Sequence, residues 1–209
     1  MQKLYVVRGS NNCRKVEAVV GNLGLEVETV ALDFASGGLK TPEYLALNPN
    51  GKVPTLVDGD YTLWESNAIM QYLADGAPDN TLYPRDGRTR IEIHRWQFWE
   101  TAHYNRWLGT LAFEIMLKPM FNLGQPDEAH IAEARGFFDK FAPVLDARLS
   151  QGPFLVGANP TLADFSVGSF AAFVGGMGLN LNDYPHLRDW YARLDSVPGW
   201  AATAPRMAA

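Results

Sequence analysis

Two short runs of strand-forming residues with an amphipathic helix between them constrain this chain more than any other feature. Residues 3–7, Lys-Leu-Tyr-Val-Val, read as a strand. Gly9-Ser10-Asn11-Asn12 is a turn able to start a helix, and Val16, Val19, Val20 and Leu23 then recur at i, i+3, i+4 and i+7. Gly24 stops that helix, and residues 25–32 read as a second strand. A strand, a helix and a strand of these lengths make a βαβ unit with parallel strands and a right-handed crossover.

The pattern then changes from crossover to hairpin. Residues 41–47 predict at most a short helix, closed by Asn48-Pro49-Asn50-Gly51. Val53-Pro54-Thr55-Leu56-Val57 and Tyr61-Thr62-Leu63-Trp64 flank Asp58-Gly59-Asp60, an Asp-Gly hairpin signal. A helix from Glu65 is expected to turn Ile69, Tyr72 and Leu73 inward. A βαβ unit followed by ββα is the thioredoxin-like plan.

Downstream the strand pattern disappears. Gly76, Pro78, Pro84 and Gly87 mark residues 76–87 as a linker, so the chain divides into a thioredoxin-like domain at 1–75 and an all-helical bundle domain at 88–209. Residues 88–120 predict one long helical stretch, kinked or stopped near Pro119. Residues 127–149 predict a second, with Ile131, Ala134, Phe138, Phe141, Leu145 and Leu149 in a stripe that Pro143 should bend. Residues 162–174, residues 185–194 and a short terminal helix are expected to complete the bundle.

Composition narrows the function. A formal charge of −5 in 209 residues argues against a nucleic-acid binder, which needs a basic face. The apolar start is too short for a signal peptide, and charges or prolines interrupt every run that could span a membrane. The single cysteine, Cys13, excludes an intrachain disulfide and an all-cysteine zinc site. His94, His103, His130 and His186 have no metal-ligand spacing, so no metal is expected. A cytoplasmic protein without membrane or nucleic-acid partners is the expectation.

Chemistry is expected first at Ser10. In a thioredoxin-like domain the turn between the first strand and first helix carries the reactive group, and here a hydroxyl occupies its first position. A hydroxyl cannot exchange disulfides, but it can donate to a ligand sulfur at a helix N-terminus, and both effects favour a thiolate over a thiol. Ser10 can equally be a plain helix cap. Val53-Pro54, just before a strand, can expose the backbone of Val53 to an extended peptide if the bond is cis, or can simply begin the strand. Ser66 and the N–H groups beside it can hold a carboxylate and Glu65 an ammonium, or both can cap a helix. Lys52 can meet a second carboxylate or stand in solvent. A peptide with a thiol, an α-amino-acid end and a second carboxylate answers all four features together, and glutathione is such a peptide.

Over essentially its whole length the chain resembles the glutathione transferase superfamily. The resemblance is carried by Gly9-Ser10-Asn11-Asn12-Cys13-Arg14, Asn48-Pro49-Asn50-Gly51-Lys52-Val53-Pro54-Thr55-Leu56, Leu63-Trp64-Glu65-Ser66-Asn67-Ala68-Ile69 and Thr161-Leu162-Ala163-Asp164-Phe165. The first stretch looks most like serine-type enzymes of the delta, theta and related bacterial groups. The resemblance implies that Ser10 supports the glutathione thiolate, with Asn12 a competitor for that role as in some bacterial and fungal groups. It implies that Val53, beside a cis Pro54, pairs with the cysteinyl backbone, and that Glu65 and Ser66 grip the γ-glutamyl end. It also implies a homodimer acting in detoxification, with glutathione as co-substrate. Cys13 does not match cysteine-type members, whose cysteine stands where Ser10 stands here.

Thr161 and Asp164 have the spacing of a capping box and are assigned to folding, at ~1 kcal/mol. The electrophile is expected between the domains, against the first loop and the long helix, with His103, Tyr104 and Trp107 as its contacts. Trp96 and Trp99 read as core or interface. The expected reaction joins the glutathione sulfur to a small apolar electrophile; peroxidase, isomerase or dehalogenase chemistry would begin from the same thiolate. The alternatives are a non-catalytic binding or assembly protein that kept the fold, and thiol–disulfide exchange by Cys13 alone.

Overall fold

The structure, a computed structural model, describes residues 1–78 and 80–205. It contains two compact units, one made of Met1–Tyr83 with the chain from Val197 onward, the other of Pro84–Ser196.

The first unit is a four-stranded sheet with helices. In chain order its elements are β1 (Gln2–Val6), α1 (Asn11–Leu23), β2 (Val27–Ala31), α2 (Pro42–Leu47), β3 (Thr55–Asp58), β4 (Tyr61–Trp64) and α3 (Ser66–Gly76). The sheet order is β2-β1-β3-β4, with β1 parallel to β2 and β3 antiparallel to both β1 and β4. This is the expected thioredoxin-like plan, with β4 at its expected bounds, β1 shifted by one residue, β2 shorter at both ends and β3 displaced toward Asp58. Strand alternation turns Leu4, Val6 and Leu56 into the core. Val16 and Val19 of α1 and Ile69, Met70 and Leu73 of α3 are buried as well. Each such side chain contributes about 1.5–3 kcal/mol by leaving water. Tyr72, expected inward, instead lies at the surface, where its hydroxyl donates to Asp58 at 2.9 Å; Met70 takes the inward position. A phenol with a carboxylate in reach has no reason to be buried.

The end of α1 follows from one residue. Gly24 adopts φ +61°, its N–H donates to Gly21 O, and the N–H of Leu25 donates to Val20 O at 3.0 Å. That left-handed cap satisfies carbonyls that the helix leaves open and turns the chain back toward β2.

The short terminal helix, Pro198–Ala202, belongs to this first unit and not to the bundle, which corrects the sequence expectation. It lies on α1. The Arg14 guanidinium stacks 4.0 Å from the centre of the fully buried Trp200 ring, and the Gly199 backbone meets Ala18 and Asn22 so closely that no Cβ would fit.

The second unit is helical, with no strand among the described residues: α4 (Gly87–Trp99), α5 (Asn105–Leu111), α6 (Lys118–Phe121), α7 (Glu128–Leu149), α8 (Leu162–Val167) and α9 (Pro185–Leu194). Asp86 caps α4 by accepting from the N–H of Thr89 at 2.8 Å. The long stretch ends near Pro119, as expected: α6 stops two residues later at Phe121, and Asn122 takes a left-handed φ of +52°. The interruptions are two π-helical turns, Glu100–Tyr104 and Ala112–Leu117, between α4, α5 and α6. Residues 162–174 likewise divide into α8 and a 3₁₀ segment, Gly168–Phe173. A Cβ on Gly168 would lie 2.4 Å from Leu194.

The expected capping box at Thr161 is the edge of a larger network. The fully buried Asp164 carboxylate accepts from the N–H and hydroxyl of Thr161, the N–H of Leu155 and the indole N–H of Trp190, at 2.9–3.1 Å. Burial raises its pKa and these four donors pull it back, with the balance above the ordinary value.

Candidate active site

The start of α1 is set by Ser10. Its extended backbone (φ −71°, ψ 123°) makes it the N-cap, and its Oγ accepts from the N–H of Cys13 at 3.3 Å. The cap reading of the sequence is therefore real, and it is compatible with chemistry. Accepting through a lone pair leaves the hydroxyl hydrogen able to donate elsewhere. Ser10 is half-buried, whereas Cys13 is buried at 1 % exposure. Burial pushes the Cys13 thiol up to about 11, against the lowering effect of its bond to Ser10. A buried thiol held in its neutral form is a poor nucleophile, which weighs against disulfide exchange at Cys13.

Asn12 stands exposed one residue into the helix, and its Oδ1 accepts from the Ser66 hydroxyl at 3.4 Å, a long bond. That contact brings the start of α1 to the start of α3. Behind it, three residues on and on the same helix face, Lys15 donates to Asn67 Oδ1 at 2.9 Å. Glu65 is the N-cap of α3 and takes φ +74°, ψ 110°, a conformation L-residues avoid. Such strain is held by surrounding structure and clusters where function demands a fixed geometry. Ser66, at the first helical position, is 8 % exposed, and the helix N-terminus beside it favours negative charge.

The Val53–Pro54 bond is cis. The turn that carries it is held by two residues that sequence reasoning treated only as helix and turn. Tyr44 donates to the carbonyl of Lys52 at 2.6 Å and shares a 2.9 Å bond with Thr55 Oγ1; Asn48 Nδ2 donates to the same two groups at 2.8 and 3.1 Å. Burial is the main cause that raises the Tyr44 pKa, and the nearby Cys13 adds to it. Cys13 follows Ser10 by one helical turn, so the residue 52–55 turn and the α1 start belong to one neighbourhood. The Lys52 side chain is exposed. Nothing in the local sequence around Tyr44 or Lys15 marked either side chain for this role, because their partners are 8 to 52 residues away.

The three remaining candidates lie in the helical unit and differ from one another. Tyr104 is 1 % exposed, and its hydroxyl bonds that of Tyr191 at 3.0 Å, which places it in the core of that unit. Its pKa is driven well above the usual value by burial first. His103 is exposed beside Phe141, with ring centres 5.2 Å apart. Trp107 stacks on Phe137 at 4.0 Å and 5° and lines an open cavity of about 510 Å³ with Arg106, Thr110, Phe113, Glu114 and His130. Trp96 is 2 % exposed. Among the described residues no group of three or more His, Cys, Asp or Glu is placed to hold a metal ion, and no helix is long and apolar enough to cross a membrane.

Comparison with known proteins agrees over both units. The N-terminal domain model of glutathione S-transferases matches residues 2–75, and the C-terminal domain model matches residues 128–193. The chain is 33 % identical over 207 residues to a probable glutathione S-transferase, GSTF2, of Oryza sativa subsp. japonica, covering 98 % of this chain and 96 % of that one. It is 36 % identical over 188 residues to glutathione S-transferase F10 of Arabidopsis thaliana, covering 85 % and 84 %. Among solved structures, the theta class glutathione S-transferase of Xanthomonas axonopodis pv. citri, with glutathione bound, superposes with a TM-score of 0.89 at 34 % identity, covering 99 % of this chain and 98 % of that one.

Proposed function

This chain belongs to the glutathione S-transferase family, and from that premise we propose that it joins the sulfur of glutathione to a small, largely apolar electrophile. The observation that carries the proposal is the hydroxyl of Ser10, capping α1 through its lone pair while its hydrogen stays able to donate. A thiol placed against that hydrogen and the positive end of α1 ionises more easily, so no separate general base is needed. The enzyme then acts by holding the thiolate ready and fixing its position beside the electrophile.

The parts divide as follows. Ser10 is the main donor to the sulfur; Asn12, whose oxygen accepts from Ser66, is tied toward the other end of the ligand. The Val53 backbone pairs with the cysteinyl residue, in a turn held by Tyr44 and Asn48. Glu65 and Ser66 take the ammonium and carboxylate of the γ-glutamyl end, and Lys52 meets the glycyl carboxylate. His103 and Trp107 offer contact to the electrophile; Tyr104, buried and bonded to Tyr191, does not reach it and is a core residue of the helical unit. The homodimer and the detoxifying role belong to the same proposal and rest on the family resemblance; the cytoplasmic location is proposed from the composition.

The test is the ultraviolet absorbance of the thiolate of bound glutathione against pH, in the wild type, Ser10→Ala and Asn12→Ala. The wild type is expected to titrate clearly below the roughly 8.5 of a free cysteine thiol. Losing one charge-assisted hydrogen bond should raise that value by about 1–2 pH units in Ser10→Ala and by less in Asn12→Ala. Glutathione that binds with an unshifted thiol would refute the transferase reading and favour a binding protein that kept the fold.

A further inference from the structure

The hydrogen bonds that hold the turn at residues 52–55 form a closed cycle whose direction can be assigned. Tyr44 is the third residue of α2 and Asn48 its C-cap, so the two stand four apart on one face of that short helix. The Tyr44 hydroxyl has one hydrogen, and the carbonyl of Lys52, 2.6 Å away, can only accept it. The 2.9 Å bond between Tyr44 and Thr55 is therefore donated by the Thr55 hydroxyl. The two hydrogens of Asn48 Nδ2 go to Thr55 Oγ1 at 3.1 Å and to the same Lys52 carbonyl at 2.8 Å. The Asn48 amide cannot be reversed, because its Oδ1 accepts from the backbone N–H and the Nδ2 of Asn50 at 3.1 and 3.0 Å. Tyr44, Asn48 and Thr55 are all buried. The cycle uses every side-chain donor of these three residues and both lone pairs of the Lys52 carbonyl.

What the cycle leaves open is the other end of the same peptide unit. The Lys52–Val53 bond is trans, and in a planar trans peptide the C=O and N–H point in opposite directions. Holding the carbonyl inward on two buried donors thus turns the Val53 N–H outward. Val53 is half-buried, and among the described residues its N–H meets no acceptor. Backbone N–H groups away from bulk water are rarely left without a partner.

We propose that Tyr44 is a positioning residue for glutathione, which aims the Val53 N–H at the carbonyl of the ligand's cysteinyl residue by pinning the Lys52 carbonyl behind it. The proposal rests on the transferase reading given above, in which the Val53 backbone pairs with that residue. Tyr44 is 3 % exposed and acts only through the peptide plane. Its own place is fixed twice over. Its backbone N–H donates to the α2 cap Thr41 at 3.2 Å, and its ring lies 5.9 Å from that of Tyr5 on β1. With the phenol gone, Asn48 alone holds the carbonyl, and one bond leaves the plane free to swing about it. A hydrogen bond weakens steeply as its angle closes, so a modest swing costs the ligand contact while the turn persists.

The test is titration calorimetry on the full-length protein with two ligands, glutathione and its (E)-alkene isostere at the cysteinyl–glycine bond. The isostere keeps the thiol, the ammonium and both carboxylates but has no cysteinyl carbonyl. The wild type should bind it about tenfold more weakly than glutathione, the scale of one hydrogen bond. Tyr44→Phe removes a single oxygen and keeps the ring. It should weaken glutathione by about three- to tenfold and leave the affinity for the isostere little changed. In turnover the loss should fall on KM for glutathione, with the pH midpoint of the bound thiol unmoved, because Ser10 is untouched. If Tyr44→Phe does not fold, Asn48→Ala removes the other donor to the same carbonyl and should give the same selective loss. An equal loss for both ligands, or no loss in a folded variant, would overturn the proposal and leave Tyr44 a structural support of the turn. A wild type that binds both ligands equally would also overturn it, while leaving the thiolate reading intact. A wild type that binds glutathione without shifting its thiol would bring down the transferase reading itself, and the proposal with it.

Discussion

Replacing Gly199 by alanine should unseat the terminal helix from α1. A Cβ at that position would lie 2.4 Å from Ala18 O, 2.5 Å from Asn22 N and 2.7 Å from Asn22 Cβ. Two of these neighbours are backbone atoms of a hydrogen-bonded helix, so no side-chain rotation relieves the overlap and the two helices must separate. Over-packing of this kind costs about 1–3 kcal/mol, and the upper end applies because the obstacle is rigid. Separation also opens the 4.0 Å stack of Arg14 on Trp200, a desolvated cation–π contact of about 2 kcal/mol. Together the loss is about 3–5 kcal/mol, enough to lower the midpoint of the unit's thermal transition by roughly 6–20 °C in a chain of this size. Gly21→Ala supplies the control at the same interface. Its Cβ would stand 3.6 Å from Gly199 Cα, an ordinary contact, and alanine in a helix interior gains about 0.5–1 kcal/mol over glycine. Urea and thermal unfolding followed by circular dichroism compare the two variants with the wild type. A Gly199→Ala protein within about 0.5 kcal/mol of the wild type, or a Gly21→Ala protein as damaged as Gly199→Ala, would refute the close-approach argument.

Asp164→Ala should cost about 3–5 kcal/mol in urea unfolding, well beyond the ~1 kcal/mol of a lost helix cap, because four buried donors lose their acceptor together. A loss of only ~1 kcal/mol would mean that the network is no more than the cap. Glu114 provides a pH test: its carboxylate is held below the ordinary range first by Lys118, then by the N–H of Asp127, with His130 nearby. A depressed folded value contributes stability that is present above the ordinary carboxylate pKa and is lost as pH falls through the folded pKa. Glu114→Gln should therefore flatten the acid limb of the stability curve, read from urea midpoints between neutral pH and about pH 3, and an unchanged limb would remove the carboxylate from the account.

Much of this protein is legible from local pattern. The stripe Val16, Val19, Val20 and Leu23, the glycine that ends it, the Asp-Gly hairpin and the flanking strands each act within a few residues, and such signals survive in one dimension. They specify a βαβ-ββα sheet followed by helices, which is what the strand order β2-β1-β3-β4 and the strandless second unit display. The Ser10 cap and the Thr161–Asp164 spacing were readable for the same reason.

What the pattern could not contain were choices made by partners far apart in the chain. Whether the terminal helix joined the bundle or returned to α1 was decided by the glycine surface at residue 199 and the stack of Trp200 under Arg14, 186 positions away in sequence. Tyr72 left the core because Asp58 offered its phenol a partner at the surface. Two π-helical turns interrupt the long stretch before it reaches Pro119, and the buried Lys15 found Asn67 across 52 residues. Propensity and periodicity act along the chain over one or two turns. The desolvation of a charge, the overlap of two backbones and the pairing of two polar groups act through space, and only the folded structure brings those atoms together.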